Sequence, residues 1–308
     1  MFGMIKKNIK KKWYITGRYV YESRKKNNKK LLLLLAGYKT FLYPEVIGRL
    51  ERYLCDNIDV CIVSSGLYDK VLSEYAKKNN WSYLSTERNC VSLAQNIAIN
   101  LHPNAEFIYK MDEDIFLTEN TFEILMDTYK KVEADGRYNV GFVAPLIPIN
   151  GYGHTRILVK LGLEDTYENR FEKIKVAAGQ ERMVENNPEV ARFFWGAGGI
   201  VPSIDTLNKK FQHEPLNYSV CPIRFSIGFI LFHRNTWLDM GMLRVPLWGS
   251  AMGEDEVQIC SCAMRQSKAI IVAENTVVGH LSFGKQNEPM KKYFLEHREV
   301  FAVKQGNE

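Results

Sequence analysis

Three acids in succession, Asp112, Glu113 and Asp114, follow a stretch over residues 107–111 in which four apolar or aromatic residues surround Lys110, and precede a helix-like pattern. Like charges repel, and carboxylates are costly to place at the end of a buried strand. On an extended segment Asp112 and Asp114, at i and i+2, point the same way. Two carboxylates on one face suit a hard divalent cation, which takes oxygen ligands. A second acid group, Glu254, Asp255 and Glu256, follows Gly253 at the start of a helix-like segment, where acids complement the helix dipole. A histidine, His280, closes a late strand-like run.

The elements that must position these groups alternate from residue 30 onward. Residues 31–36 form a continuous apolar run, as expected of a parallel strand buried on both faces. Helical spacing over 44–55 leads to a second strand at 58–64, a helix at 68–79 and a short strand at 81–85. A helix at 92–101 precedes the fourth strand at 107–111, and a helix at 118–132 has Thr118 or Asn120 as its N-cap. Later strands are expected at 140–147, 224–233, 269–273 and 277–278, with helices over 164–185 and 253–265. Such alternation predicts an α/β fold, a Rossmann-like, mainly parallel sheet with helices on both faces. Ligands bind such sheets at the carboxyl ends of the strands, where the acid triplet lies.

Taken in order, several segments resemble a nucleotide-sugar-dependent glycosyltransferase of the GT-A fold, and are similar to bacterial family-2-like members. They are LLLLLAGYKT at 31–40, TERNCVSLAQNIAI at 86–99, MDED at 111–114, SIGFILFHRNTWLDMGML at 226–243, GEDEVQICSCAMR at 253–265 and VVGHLSF at 277–283. Each is loose alone; the ordered set, spread over roughly residues 31–285, is more specific.

The resemblance implies a D-x-D that binds Mn²⁺ or Mg²⁺, which holds the donor diphosphate. It makes Asp114 the first metal ligand. It places Asp112 on the metal as well, or on the ribose or a bound water. His280 becomes a further ligand, and imidazole tilts the metal toward manganese. Asp255 matches the general base of an inverting transfer, with Glu254 in reserve. The cofactor-binding stretch takes in Ala36, Gly37, Tyr38, Arg88, Asn89, Asp112 and Glu113. The Glu113 side chain itself is expected to point away as a surface acid. Residues 31–150 form the nucleotide-sugar half, 151–285 the acceptor-binding and catalytic half, and 286–308 a C-terminal helical tail. The aromatic, glycine-rich segment 193–199 is either an acceptor loop or a buried cluster, and Trp248 lines the acceptor. His102, His154, His213, His233 and His297 read as structural.

Charge is unevenly spread. The net charge is +6, but residues 1–30 hold eleven Lys or Arg and one acid, Glu22, so they carry +10 and the remainder carries −4. This basic arm interleaves Phe2, Met4, Ile5, Ile9, Trp13 and Tyr14 with lysines, as a segment lying on an anionic membrane would. Nucleic acid is the other polyanion it could meet, although none is expected as a partner; the bland alternative is a solvated helix. No apolar stretch reaches the ~18–20 residues of a membrane span, and no secretory signal is read. The six cysteines form no C-x-x-C pair, which argues against zinc and for reduced thiols. The expected enzyme is a glycosyltransferase in the cytoplasm or at the inner face of the membrane. It would move a sugar from a nucleotide donor, UDP-linked by preference, to a glycan or lipid-linked acceptor in bacterial surface polysaccharide synthesis. Two rivals stand beside it. A nucleotidyltransferase would need a glycine-rich, basic phosphate loop, whereas AGYKTFLYPE offers one Gly and one Lys. An inactive GT-A module that binds a nucleotide-sugar would not need its acids. A retaining mechanism also stays open.

Overall fold

Four leucines, Leu31–Leu34, lie in the core, and that single fact sets the middle of a sheet. The computed structural model describes residues 12–179 and 182–303. Its strands, in chain order, are β1 (Tyr19–Glu22), β2 (Lys30–Leu35), β3 (Ile58–Ser65), β4 (Ser82–Thr86), β5 (Phe107–Asp112), β6 (Ile115–Phe116), β7 (Val140–Leu146), β8 (Tyr218–Val220), β9 (Phe229–His233), β10 (Ala269–Val277) and β11 (Gly279–His280). Helices connect and flank them, giving a mixed α/β chain with a mostly parallel sheet, as the apolar runs predict.

The described chain forms two compact units. The first comprises residues 12–40, 55–113 and 229–268. Its strands run in the order β1-β4-β3-β2-β5-β9. β2 pairs in parallel with β3 and β5, and β3 with β4. β3 is buried along its whole length, as a strand covered on both faces must be. The antiparallel pairing of β9 with β5 brings a late segment back beside the acid-bearing strand. For this reason the units do not follow the contiguous division at residue 150.

The basic arm divides. Residues 1–11, with Phe2, Met4, Ile5 and Ile9, lie outside the described residues. Tyr19–Glu22, in contrast, is an edge strand antiparallel to β4. Residues 26–28 are fastened by Asp59, whose carboxylate accepts from the Lys26 and Asn28 amides and from Asn28 Nδ2. Residues 12–30 of the arm therefore belong to the first unit.

The second unit comprises residues 41–54, 114–228 and 269–303. Here β7 and β10 run parallel, β8 joins β10 antiparallel, and β6 and β11 form a separate two-stranded ribbon. Two expectations are corrected. β10 is one strand rather than two, because its polar centre is satisfied: Arg156 pairs with Glu274, Asn275 donates to the Phe211, Glu214 and Pro215 carbonyls, and Thr276 donates to Asn208. The helix expected over 164–185 ends at Arg170, where Phe171 leaves helical geometry and packs edge-on to Phe193.

Arg49, on the helix Tyr43–Tyr53, holds this unit together from its interior. Its guanidinium forms a fork with both Asp205 oxygens at 2.8 and 2.9 Å. It also donates to the Leu117 carbonyl, just past β6, and to the Phe301 carbonyl of the C-terminal segment. Removing one partner of a buried pair leaves the other charge uncompensated. Arg49→Leu should therefore lower stability by about 3–5 kcal/mol in urea denaturation. An unchanged midpoint would mean that this network is dispensable.

Candidate functional site

Each acid of the triplet has its own partner. Asp112 Oδ1 stands 2.6 Å from Nζ of Lys110, two residues earlier on β5. Lys110 is only 3% exposed. Burial disfavours its charge, but Asp112, Asp255 and Glu256 outweigh that effect and raise its pKa above the ordinary lysine value. The sequence shows this lysine among apolar neighbours without indicating a role for it.

Glu113 is not the surface acid expected. It is 9% exposed, and its carboxylate accepts from the Gly37 amide at 2.9 Å and from the Tyr38 amide at 3.1 and 3.2 Å. Gly37, at φ 144°, presents these successive amides at the end of β2. Tyr38 also donates through its hydroxyl to the Ser65 carbonyl, while the Ala36 amide donates to Val63. Glu113 thus ties the acid turn to the residues expected to hold the nucleotide.

Asp114, 4% exposed, belongs to the second unit. Its Oδ2 lies 3.3 Å from Nε2 of His280. The ribbon explains the encounter: His280 is in register with Ile115, and the Leu281 amide donates to the Asp114 carbonyl. Trp195 supports the histidine from behind, donating through Nε1 to its carbonyl. A side chain at Gly279 would meet the Trp195 ring at 2.3 Å, so only glycine fits before the histidine. His280 Nδ1 is buried without a hydrogen-bond partner among the described residues.

Among the described residues no group of three His, Cys, Asp or Glu side chains assembles to hold a metal. The Asp114–His280 pair nevertheless suits one. Two adjacent ligands of a cation bound at ~2.1 Å stand about 3 Å apart, close to the distance observed. Mg²⁺-like ions keep waters and take substrate phosphates rather than requiring an all-protein cage.

The second acid group lies in the first unit, on the helix Glu254–Arg265. Asp255 is buried and Glu254 exposed. Asp255 Oδ2 accepts from Gln95 Nε2 at 2.9 Å, and Oδ1 from the Glu256 amide. Gln95 sits on the helix Val91–Leu101, which also organises the loop before Asp255. Asn96 donates to the Leu243 carbonyl and accepts from the Leu243 amide and Trp237 Nε1. Arg88 donates to the Pro246 carbonyl, and the Val91 amide to Ser250. Arg88 and Asn89, expected on the nucleotide, thus have scaffold contacts: Asn89 meets the Ser65 hydroxyl at 3.4 Å. The loop they hold carries Trp248, which is 85% exposed.

The remaining candidates pack. Phe193, Phe194 and Trp195 are buried, so segment 193–199 begins as a core cluster. His154 is buried, bonded to the Asn150 carbonyl and flanked by Tyr167 and Phe194. Burial holds its pKa down to about 4, the Asn150 hydrogen bond opposes this, and the Arg182 charge adds to it.

No family model and no curated protein matches the chain. Among solved structures it is similar to a mannosyltransferase, PcManGT from Pyrobaculum calidifontis in complex with GDP-Man and Mn²⁺. That match has 14% identity and a TM-score of 0.46, and covers 91% of this chain and 65% of that one. A mycobacterial protein is similar at 12% identity and a TM-score of 0.44, covering 92% and 78%. The chain thus spans just under two thirds of the mannosyltransferase it matches. At these values neither likeness carries an argument about activity.

Glu113 generates a local test. Glu113→Ala leaves two amides without their acceptor, at a cost of about 1–3 kcal/mol. Hydrogen exchange at the Gly37 and Tyr38 amides should quicken about tenfold or more. Unchanged exchange would show that the carboxylate does not hold them.

Proposed function

We propose that this chain is a metal-dependent glycosyltransferase using a nucleotide-sugar donor, with UDP as the preferred nucleotide. The observation that carries the reading is the buried Asp114–His280 pair at 3.3 Å, a carboxylate and an imidazole on paired strands. A mixed oxygen and nitrogen donor set suits Mn²⁺ better than Mg²⁺. When bound, the cation would offset the charge of a nucleoside diphosphate and so stabilise it as a leaving group.

The chain's own residues take the other roles. The end of β2, at Ala36, Gly37 and Tyr38, binds the nucleoside, with Glu113 fixing its backbone. Asp112 serves the donor as a carboxylate compensated by Lys110. Asp255 removes the proton of the acceptor hydroxyl as that oxygen bonds to the anomeric carbon. The bond from the anomeric carbon to the diphosphate oxygen breaks in the same step, giving inversion. Gln95 fixes Asp255 for this purpose, and Glu254, exposed at the helix start, stands in reserve.

The acceptor in this reading is a glycan or lipid-linked sugar, with exposed Trp248 offering an aromatic face to it. Among the described residues no helix is long and apolar enough to cross a membrane. The basic segment before β1 is the part of the chain suited to an anionic membrane surface, and we place the enzyme at the cytoplasmic face in surface polysaccharide synthesis.

Calorimetric titration with UDP tests the reading. Binding should require Mn²⁺ and weaken at least about tenfold in Asp114→Ala and His280→Ala. Asp255→Asn should bind UDP as the native chain does, while turnover of the UDP-sugar falls by about 10²–10⁴. UDP binding that ignores both Mn²⁺ and Asp114 would contradict the metal assignment.

A further inference from the structure

A lysine at the centre of a sheet is unusual, since its charge must be matched inside the protein. Lys110 faces that demand between neighbours that are almost all apolar. On its own strand it follows Ile108 and Tyr109 and precedes Met111; across β2 it is in register with Leu33, and across β9 with Ile230. Its compensation comes from acids of two separate segments. Asp112 is paired directly at 2.6 Å, and Asp255 and Glu256 contribute electrostatically from the start of the helix Glu254–Arg265. Asp255 in turn is held by Gln95. All five residues belong to the first unit.

Resting on the function proposed above, we propose that Lys110 is a positioning residue for transfer. Its buried ammonium fixes the donor-side acid Asp112 by an ion pair. Asp112 is thus compensated and oriented before any substrate arrives.

Methionine approximates lysine in length without the charge, so Lys110→Met is the informative variant. In its crystal structure the Asp112 side chain should leave its native position. A native position for Asp112 would overturn the proposal, whatever the protein's activity. Kinetics read the same claim through function. Release of UDP from a panel of UDP-hexoses should show kcat lowered by about a hundredfold in Lys110→Met, as misplacement of reacting groups produces. KM for the donor should rise as well, since Asp112 serves the donor. A rise in KM at unchanged kcat would overturn it. Lys110→Arg, which keeps the charge, should recover part of the lost kcat.

If Lys110→Met fails to fold, Lys110→Met/Asp112→Asn decides. Removing both charges should restore folding if Lys110 serves to fix Asp112 by its charge, and a double variant that is no more stable than the single would overturn the claim. If the native chain turns over no UDP-hexose, the UDP reading fails on that result, while the variant's structure and the double-variant stability still decide the role of Lys110.

Discussion

Three adjacent carboxylates at the end of a buried strand are tolerable only if each is compensated, and this chain compensates them in three different ways. Asp112 has an ammonium, Glu113 has two backbone amides, and Asp114 has an imidazole. The division of labour follows from direction. β5 ends at Asp112 and the chain turns at Glu113 and Asp114 before β6, so the three side chains meet different partners. The glutamate carboxylate becomes part of the scaffold, and the two aspartates remain available for chemistry.

Much of the surrounding structure exists to keep those partners in place. The Glu113 clamp needs the turn at Gly37. The Asp114–His280 pair needs the β6–β11 ribbon, the Trp195 hydrogen bond and the absence of a side chain at Gly279. Arg49, through the Leu117 carbonyl, holds the segment that follows Asp114. In the first unit the helix Val91–Leu101 does the same for Asp255, with Gln95 on the carboxylate and Asn96 on the loop before it. These contacts are mainly hydrogen bonds to backbone or buried side chains, which fix geometry more than they add stability.

The central strands were readable because apolar runs buried on both faces leave little alternative, as β2 and β3 illustrate. β1 was not readable, since YVYE is short and sits within a basic segment whose charge dominates its texture. β10 read as two pieces because Glu274, Asn275 and Thr276 look like a break until their partners are known. The same distinction governs the site. Asp114, Asp255 and His280 were legible as types at element ends. Gln95 and Trp195 were not, because each acts through a contact across the fold that no local pattern records. Glu113 eludes local reading for the same reason: its partners are the Gly37 and Tyr38 amides at the end of β2, distant in sequence.

The central claim is that Asp114 and His280 together hold a divalent cation for a nucleoside diphosphate. Anomalous diffraction at the manganese edge, from crystals soaked with Mn²⁺ and UDP, addresses it most directly. The account predicts one strong peak within bonding distance of Asp114 Oδ2 and His280 Nε2, with the diphosphate on the same ion. A peak bound elsewhere, or UDP bound with no manganese at this pair, would contradict it.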